Sequence, residues 1–443
     1  MLKTNMRVFF IQNKKKLLIG AGAIAALAIV AFILMPVVLP ALNRNIEERR
    51  FDNLEREDFL ADFDYMIEVL QINFPHEETT QYATGINIWE LAAEVRQKLA
   101  DPLTPIDDAF EFLNILQEEL FDPLDGIGHL FALHTDAYRG RMAGFFQILY
   151  YSTEYSRRRH GFDNFPRRDV WESVFLSEPV VTLHRDIVID YLEGYYRGTY
   201  IPVIETDILE EGRVAYLKIN RLPSSFSDAR YDTRMYHWLY YIKDFEYLII
   251  DIRGTSGQST ATFDFFVAGN AASQPLNIEL NTYFNLGTYN EKWYNAYVED
   301  RKFDGWWAIE PATPYTGQGF DMVYNRHYTI HPVDLGRRDV TFGGQVFMLI
   351  DDRTANAAEA IAAISKHSGF ATLVGDATRA VGFMQGYVYF YLPNSGIVTR
   401  YDYGLTTDAD GTPFAGRGIT PHYENHAGMD ALETTLAIIG SAN

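Results

Sequence analysis

The residues best placed to do chemistry lie in the stretch 346–383, where a predicted strand runs directly into a predicted helix. The apolar run Val346–Asp351 is typical of a strand buried on both faces, and a tight turn follows it over Asp352–Ala355. From Asn356 onward, apolar residues recur at helical spacing, with Glu359 predicted to face water. Amide groups at a helix start favour negative charge, so Asn356 stands where α/β proteins place reactive groups.

His129 is the candidate base that the sequence singles out. It follows Gly128 in a glycine-rich stretch, and a histidine in that setting is usually structural, although imidazole is the commonest general base. His134 lies nearby without a further set of ligands, which argues against a zinc site. The chain has no cysteine, so it can form neither a disulfide nor a thiolate nucleophile. We therefore predict no metal site and no cofactor.

Four short segments, in this order along the chain, resemble the C-terminal-processing (tail-specific) serine peptidases. Val214–Ile219 reads V-A-Y-L-K-I and is similar to the family strand I-A-Y-L-K-I. Tyr247–Ser259 resembles the family's strand and loop L-I-I-D-L/I-R-x-N-x-G-G. Residues 354–359 read T-A-N-A-A-E, similar to the active-site turn T/S-A-S-A-A/S-E, and Gly416–His422 resembles the phrase G-x-G-I/V-x-P-D. Together the four segments predict membership of this family.

The resemblance implies a role for several residues of this chain. The nucleophilic serine corresponds to Asn356, whose amide has no hydroxyl to activate. The oxyanion and substrate-binding positions correspond to Gly254 and Gly257 in the first loop and to Ala357 at the helix start. His129 corresponds to the base of those members that lack a catalytic lysine.

Two further catalytic positions of the family hold residues that cannot act. Val381 stands in the register of the lysine that serves as base in other members, and a valine cannot take a proton. The acidic residue that supports the histidine precedes the C-terminal phrase, and that position is Ala415. The resemblance therefore implies that nucleophile, lysine and supporting acid are all absent.

Strands and helices alternate in the predicted pattern from Val214 to Val374, which indicates an α/β fold. The apolar spacing also predicts three N-terminal helices: one that begins near Phe59 and ends near Pro75, then Ile88–Leu99 and Ile106–Phe121. Tyr387–Leu392 and Ile397–Tyr403 are predicted to form a hairpin around residues 393–396. The resemblance implies, more specifically, a crotonase-like core of β-β-α units with a helical N-terminal subdomain. The predicted division is a cytoplasmic basic segment at 1–16, a transmembrane anchor at 17–42, a helical subdomain at 45–130, an insertion or cap at 131–205, and the peptidase-like α/β core at 206–443.

The anchor is predicted from Leu17–Leu42, which contains no charged residue and is long enough to cross a bilayer. Five basic residues precede it, so the N-terminus is expected in the cytoplasm and the rest of this single-pass protein outside. A cleaved signal peptide is the alternative, but Leu39-Pro40-Ala41 lacks a small residue at the −3 position. Without the first 43 residues the formal net charge of −21 becomes −26, which argues against binding nucleic acid or anionic lipid head groups.

Three functions are compatible with these features. The first is a membrane-anchored, extracytoplasmic peptidase homologue without catalysis that binds an extended peptide or a partner protein. The second is an active serine-type peptidase in which a displaced serine (Ser256, Ser259 or Ser365) works with His129. The third is a structural or signalling ectodomain whose cleft is closed by aromatic side chains, which make up 15% of the residues. We favour the first, because binding needs only a groove whereas hydrolysis also needs an activated nucleophile.

Overall fold

The structure is a computed structural model that describes residues 54–133, 173–174, 177, 179–180, 203–222, 229–257, 259–293, 320–332, 340–382 and 386–441. The predicted basic segment and membrane anchor, and most of the predicted cap, lie outside these residues. Within them, no helix is both long enough and apolar enough to span a bilayer. The contacts of the chain from Leu54 onward group it into one compact unit.

The first part of this unit is helical. It contains α1 (Arg56–Asn73), α2 (Glu77–Thr84), α3 (Ile88–Ala100) and α4 (Ala109–Ile115), which continues as a π-helical segment, Leu116–Phe121. The side chains of Asn87 and Asp108 cap α3 and α4 by accepting two backbone N–H groups each. Short 3-10 turns, Asp122–Leu124 and Ile127–His129, then lead to the first strand. Helix α2 is an addition to the three helices predicted here.

Twelve strands follow within the described residues: β1 (Phe131–Ala132), β2 (Ile204–Glu210), β3 (Val214–Ile219), β4 (Tyr247–Asp251), β5 (Leu276–Phe284), β6 (Met322–Ile330), β7 (Gln345–Ile350), β8 (Thr372–Gly375), β9 (Tyr387–Tyr391), β10 (Val398–Asp402), β11 (Gly404–Asp408) and β12 (Tyr423–Glu424). Six of them form a central sheet in the order β12-β8-β7-β4-β3-β2. All neighbours in this sheet are parallel except β2 and β3. The edge strand β2 exposes Glu205, Asp207 and Glu210 to solvent.

Helices cover both faces of the central sheet. Further helices among the described residues include α5 (Ala229–Ile242), α6 (Gly269–Ala271, after a π-helical segment Phe263–Ala268), α7 (Ala357–His367) and α8 (Ala431–Ser441). Ile250 and Met348 belong to the core formed with α5 and α7, whereas Ile249 and Phe347 pack on the α8 side. This alternation is the period of two expected for strands covered on both faces. The predicted α/β class is therefore confirmed.

Two three-stranded antiparallel sheets complete the unit, in the orders β1-β10-β9 and β11-β5-β6. The β9–β10 hairpin, which was predicted around residues 393–396, shares a core with the N-terminal helices, in which Phe63 and Phe112 pack with Val388 and Tyr401. Because β1 pairs with β10, the turn that carries His129 is brought to the hairpin.

Candidate active site

Asn356 lies at a sharp turn between β7 and α7. Its backbone angles, φ 59° and ψ −123°, fall in a region that side-chain-bearing residues rarely adopt. The Thr354 hydroxyl, 3.0 Å from the Asp351 carboxylate and 3.2 Å from the Ile252 carbonyl, braces this turn against the loop after β4. Such a strained strand-to-helix turn is the geometry that pushes a nucleophile into the cleft of many hydrolases.

Asp351 ties the loop after β4 to the same turn. Burial alone would raise the pKa of Asp351, but hydrogen bonds from the Gly254 N–H at 2.8 Å, from Arg353 and from Thr354 together lower it. The carboxylate is therefore ionised at neutral pH, and it fixes the two loops in one arrangement.

The side chain of Asn356 lies between His129 and Ser256. His129 Nε2 is hydrogen-bonded to Asn356 Oδ1, and Asn356 Nδ2 donates to Ser256 Oγ at 2.7 Å. An amide oxygen can only accept, so in this orientation of the amide Nε2 carries a proton. A general base needs a lone pair on the nitrogen that faces the nucleophile. Asn356 thus accepts a hydrogen bond from His129 Nε2, whereas a nucleophilic hydroxyl in the same place would donate one to it.

A buried carboxylate lies on the other side of the His129 ring. Asp402 Oδ2 is 3.9 Å from His129 Nδ1, and the two side chains are 1% and 4% exposed. The ring of Tyr387 meets His129 edge-on with centroids 5.3 Å apart. The order of groups, Asn356, His129 and Asp402, is that of a catalytic triad, but the 3.9 Å between Nδ1 and the carboxylate is too long for the hydrogen bond that a working triad has at this place.

The sequence analysis looked for the supporting acid only at Ala415, whereas the structure brings a carboxylate from another part of the chain, Asp402, near His129. Asp402 is the last residue of strand β10, and the antiparallel pairing of β1 with β10 brings it near His129. The available signal was an aspartate at the end of a predicted hairpin strand, but only the strand pairing shows which histidine it meets.

The turn that carries His129 is held by close backbone contacts. Gly128 has φ 64°, its N–H donates to the Val381 carbonyl at 3.1 Å, and an added Cβ would lie 2.5 Å from the His76 ring. Burial lowers the pKa of His76 to about 3, so this packing partner is neutral. Val381, predicted to stand at the lysine position, therefore lies beside the turn of His129.

Glu359 connects this turn to helix α7. Its side chain is fully buried, and Oε1 accepts hydrogen bonds from Thr378 Oγ1 at 2.8 Å and from the Ala380 N–H at 2.9 Å. Burial raises the pKa of Glu359 to about 7. The prediction that Glu359 faces water is wrong, because residues 378–381 pack on that side of the helix. Glu359 fixes Ala380 and Val381, and Val381 in turn fixes Gly128.

Two of the three predicted oxyanion donors are hydrogen-bonded within the protein. The Gly254 N–H donates to Asp351, and the Ala357 N–H donates to the Gly257 carbonyl at 3.2 Å. Gly257 also forms an isolated bridge with Leu222, where an added Cβ would lie 2.3 Å from the Leu222 carbonyl oxygen. The glycine is therefore needed for close backbone approach, and the oxyanion role of these residues stays a prediction.

Of the three candidate serines, Ser256 is the one beside Asn356. Ser365 is fully buried in α7, and Ser259 Oγ accepts the Ala261 N–H at 3.2 Å. Across the described ranges, no cluster of three or more histidine and carboxylate side chains is arranged to hold a metal.

A separate cavity of about 390 Å³ opens beside α8. Lys218, Arg253, Asp376 and Asp430 are among its lining residues, but Asn356 and His129 are not. We therefore place the candidate site at the contact between Asn356 and His129.

The strained turn, the buried histidine and the carboxylate behind it define an α/β core built like that of a serine peptidase. Residues 213–425 match the family model of peptidase family S41. This part of the chain belongs to that family, the tail-specific peptidases, as the sequence motifs predicted.

Solved structures that share the fold include the following two. A putative peptidase from Parabacteroides merdae ATCC 43184 is 15% identical, and the match covers 88% of this chain and 97% of that one, with a TM-score of 0.50. Mature CPAF complexed with lactacystin is 12% identical, with 87% and 97% coverage and a TM-score of 0.50. No curated protein matches the chain.

Proposed function

We propose that this chain is a membrane-anchored, extracytoplasmic homologue of the tail-specific peptidases that does not hydrolyse peptides. It binds an extended peptide or a segment of a partner protein in the cleft beside His129. The observation that carries this proposal is Asn356 at the nucleophile turn, in contact with His129. The amide cannot form an acyl-enzyme, while the turn that presents it keeps the strained backbone.

The neighbouring backbone supports the same proposal. The Ala357 N–H, which follows the nucleophile position, donates to Gly257 instead of facing an open cleft. A tetrahedral intermediate would need that N–H as a donor. Binding requires neither this donor nor a nucleophile, so a cleft beside Asn356 and His129 is sufficient for recognition.

We also infer the crotonase-like arrangement of the core and the single N-terminal anchor. The anchor rests on the uncharged segment Leu17–Leu42 and the five basic residues before it. Extraction of cell membranes with alkaline carbonate tests it: the full chain should stay in the pellet, and a chain lacking residues 1–43 should not. Release of the full chain would contradict the anchor.

The second candidate function is an active serine peptidase that uses Ser256. The observation in its favour is that Ser256 Oγ lies 2.7 Å from Asn356 Nδ2, within the candidate site. The Asn356 side chain lies between this hydroxyl and His129 and contacts both, so Ser256 would need a rearrangement to reach its base.

A fluorophosphonate probe, which labels activated serines, separates the two functions. We would treat the full chain, the Asn356→Ser variant and the Ser256→Ala variant, and map any labelled residue by mass spectrometry. The proposal expects no labelling of the unmodified chain and slow labelling at position 356 in the Asn356→Ser variant, because the Ala357 N–H is donated to Gly257. Labelling of the unmodified chain that disappears in Ser256→Ala would overturn it in favour of an active peptidase.

The absence of hydrolysis does not by itself show that the protein binds peptides. Incubation with a mixture of peptides, followed by size-exclusion separation and mass spectrometry, tests binding directly. We expect retained peptides in the unmodified chain at full length. A chain that retains none, although Asn356→Ser reacts with the probe, would contradict the binding half of the proposal.

A further inference from the structure

Arg400 is a buried cation without an anion. It lies on β10 and is 7% exposed. Its guanidinium carbon is 3.8 Å from the ring centroid of Phe131 and 4.1 Å from that of Tyr387. Nε is buried without a hydrogen-bond partner, and no carboxylate of the described residues forms an ion pair with this side chain.

This arrangement is unusual because arginine keeps its charge in proteins, and buried charges are normally paired. The two aromatic rings offset part of the cost of burial through cation–π contacts. Neither ring offers a hydrogen-bond acceptor in the plane of the guanidinium, where all its N–H donors point. A carboxylate pairs with such an edge through two parallel hydrogen bonds.

The terminal nitrogens of Arg400 are the accessible part of this edge. Of the three guanidinium nitrogens, only Nε is fully buried without a hydrogen-bond partner. Nη1 and Nη2 form no hydrogen bond with the described residues and are not fully buried. The donors that a ligand would use are therefore the ones that solvent still reaches.

Arg400 lies close to the candidate site. Alternate residues of a strand point to the same face, so Arg400 shares a face with Asp402, which contacts His129. The Tyr387 ring contacts both Arg400 and His129. One aromatic ring thus separates the cation from the imidazole. In a chain with a net charge of −21, this is a local positive site and not part of a basic surface.

We propose that Arg400 binds a carboxylate of the ligand held in the cleft. The ligand is then a peptide, or a small organic acid, with a carboxylate placed one ring away from His129. This inference rests on the proposed binding function and names its ligand class. The carboxylate comes either from a peptide C-terminus or from an acidic side chain, and the test distinguishes the two.

The experiment measures the binding of three dansyl-labelled peptides to the full chain in mild detergent, by fluorescence anisotropy. The peptides share one apolar sequence and end in a free carboxylate, in a carboxamide, or in a glutamate carboxamide. We expect the preferred acidic peptide to bind roughly tenfold or more tightly than the neutral one. Which acidic peptide is preferred identifies the source of the carboxylate.

Three variants locate that preference. Arg400→Gln keeps a planar polar group without charge and should abolish the preference, whereas Arg400→Lys keeps the charge without the two-pronged edge and should retain part of it. Arg417→Gln is the matched control, because Arg417 stacks on the exposed ring of Tyr82 at 4.3 Å and should have no effect. An unchanged preference in folded Arg400→Gln, or no preference in the unmodified chain, would overturn the proposal. If Arg400→Gln does not fold, a preference in Arg400→Lys equal to that of the unmodified chain overturns the proposal.

A small probe keeps this test independent of peptide binding. Saturation-transfer NMR with hexanoate and with hexanamide reports on the carboxylate site alone. Hexanoate signals that exceed those of hexanamide, and that disappear in Arg400→Gln, support the site even if no peptide binds, in which case the proposed peptide cleft fails. Equal signals from the two compounds contradict the role of Arg400.

Discussion

The two halves of the candidate site differ in how much of a peptidase they retain. One half, the turn at Asn356 and the loop after β4, comes from the parallel sheet. It presents the amide of Asn356, which has no hydroxyl, and the Ala357 N–H is hydrogen-bonded within it. The other half, His129 with Asp402, comes from the helical region and the β9–β10 hairpin and keeps a buried base next to a carboxylate. The two halves therefore differ in the groups they present: an amide on one side, an imidazole near a carboxylate on the other.

Different forces hold the two halves. The turn at Asn356 is a strained backbone fixed by the hydrogen bonds of Asp351 and Thr354. The His129 half is held by burial and by the contact of Gly128 with His76. Glu359 joins them, so the groups that stabilise the fold also preserve the geometry of the site. Such a site can persist without a nucleophile, because its parts are also needed for folding.

Removal of the His129 imidazole should have the strongest consequence, because it tests whether this side chain can still act as a base. In the Asn356→Ser background, His129→Ala should lower the rate of fluorophosphonate labelling roughly 100-fold or more, and Asp402→Asn should lower it by less. His367→Ala is the control, since His367 lies near Asp408 and away from the site. A labelling rate that His129→Ala does not change would show that this half is also inactive.

Gly128→Ala should destabilise the His129 half by about 3 kcal/mol. The new Cβ would lie 2.5 Å from the buried ring of His76, and the backbone has φ 64°. Gly85→Ala is the matched control, because Gly85 has φ 73° with nothing within 4 Å, so only the backbone cost of about 1 kcal/mol remains. Urea titrations of both variants measure the difference, and equal losses would contradict the proposed packing.

Glu359→Gln should change the pH dependence of stability. Burial raises the pKa of Glu359 from 4.5 to about 7. Between these values the folded chain holds a proton that the unfolded chain has lost, so the free energy of unfolding falls as the pH rises through this window. The loss is roughly 3 kcal/mol and is complete above the folded pKa. Gln cannot ionise, so the variant should lose less stability than the unmodified chain.

Denaturant titrations at several pH values, from about 5 to about 8, measure this difference. Other titrating groups, including the buried His76, are common to both chains and cancel in the comparison. Parallel stability curves would show that Glu359 does not hold a proton in the folded state.

The smallest expected effect concerns the strain at position 356. Asn356→Gly should be more stable than Asn356→Ala by about 1–2 kcal/mol, because neither variant keeps the amide contacts and only glycine adopts φ 59° freely. Ala360→Gly within α7 should show the opposite order, with a loss of about 1 kcal/mol. Thermal unfolding measures all three, and an Ala variant as stable as the Gly variant would argue against strain.

Local patterns in the sequence predicted the elements that depend on neighbours along the chain. The apolar run before Asp352 and the helical spacing after Asn356 gave the strand and helix that meet at the turn. The family motifs assigned Asn356 to the nucleophile position, and the register placed Val381 near the site, where it contacts the turn of His129 through its carbonyl.

Features that depend on distant pairing could not be predicted in this way. The partnership of His129 with Asp402 requires the pairing of β1 with β10. The burial of Glu359 requires residues 378–381 to pack on a helix face that the apolar spacing leaves polar. The position of Arg400 between two rings likewise follows from three strands meeting in one sheet.

The edge strand β2 affects how readily copies of the protein associate in concentrated solution. Among the described residues β2 pairs only with β3, and a strand edge left open in this way can pair with a second molecule. The exposed Glu205, Asp207 and Glu210 give such an encounter the same charge on both sides, so copies of the chain repel one another at this edge. Salt shortens the range of that repulsion to about 10 Å at 0.1 M. Low ionic strength should therefore favour a well-dispersed protein.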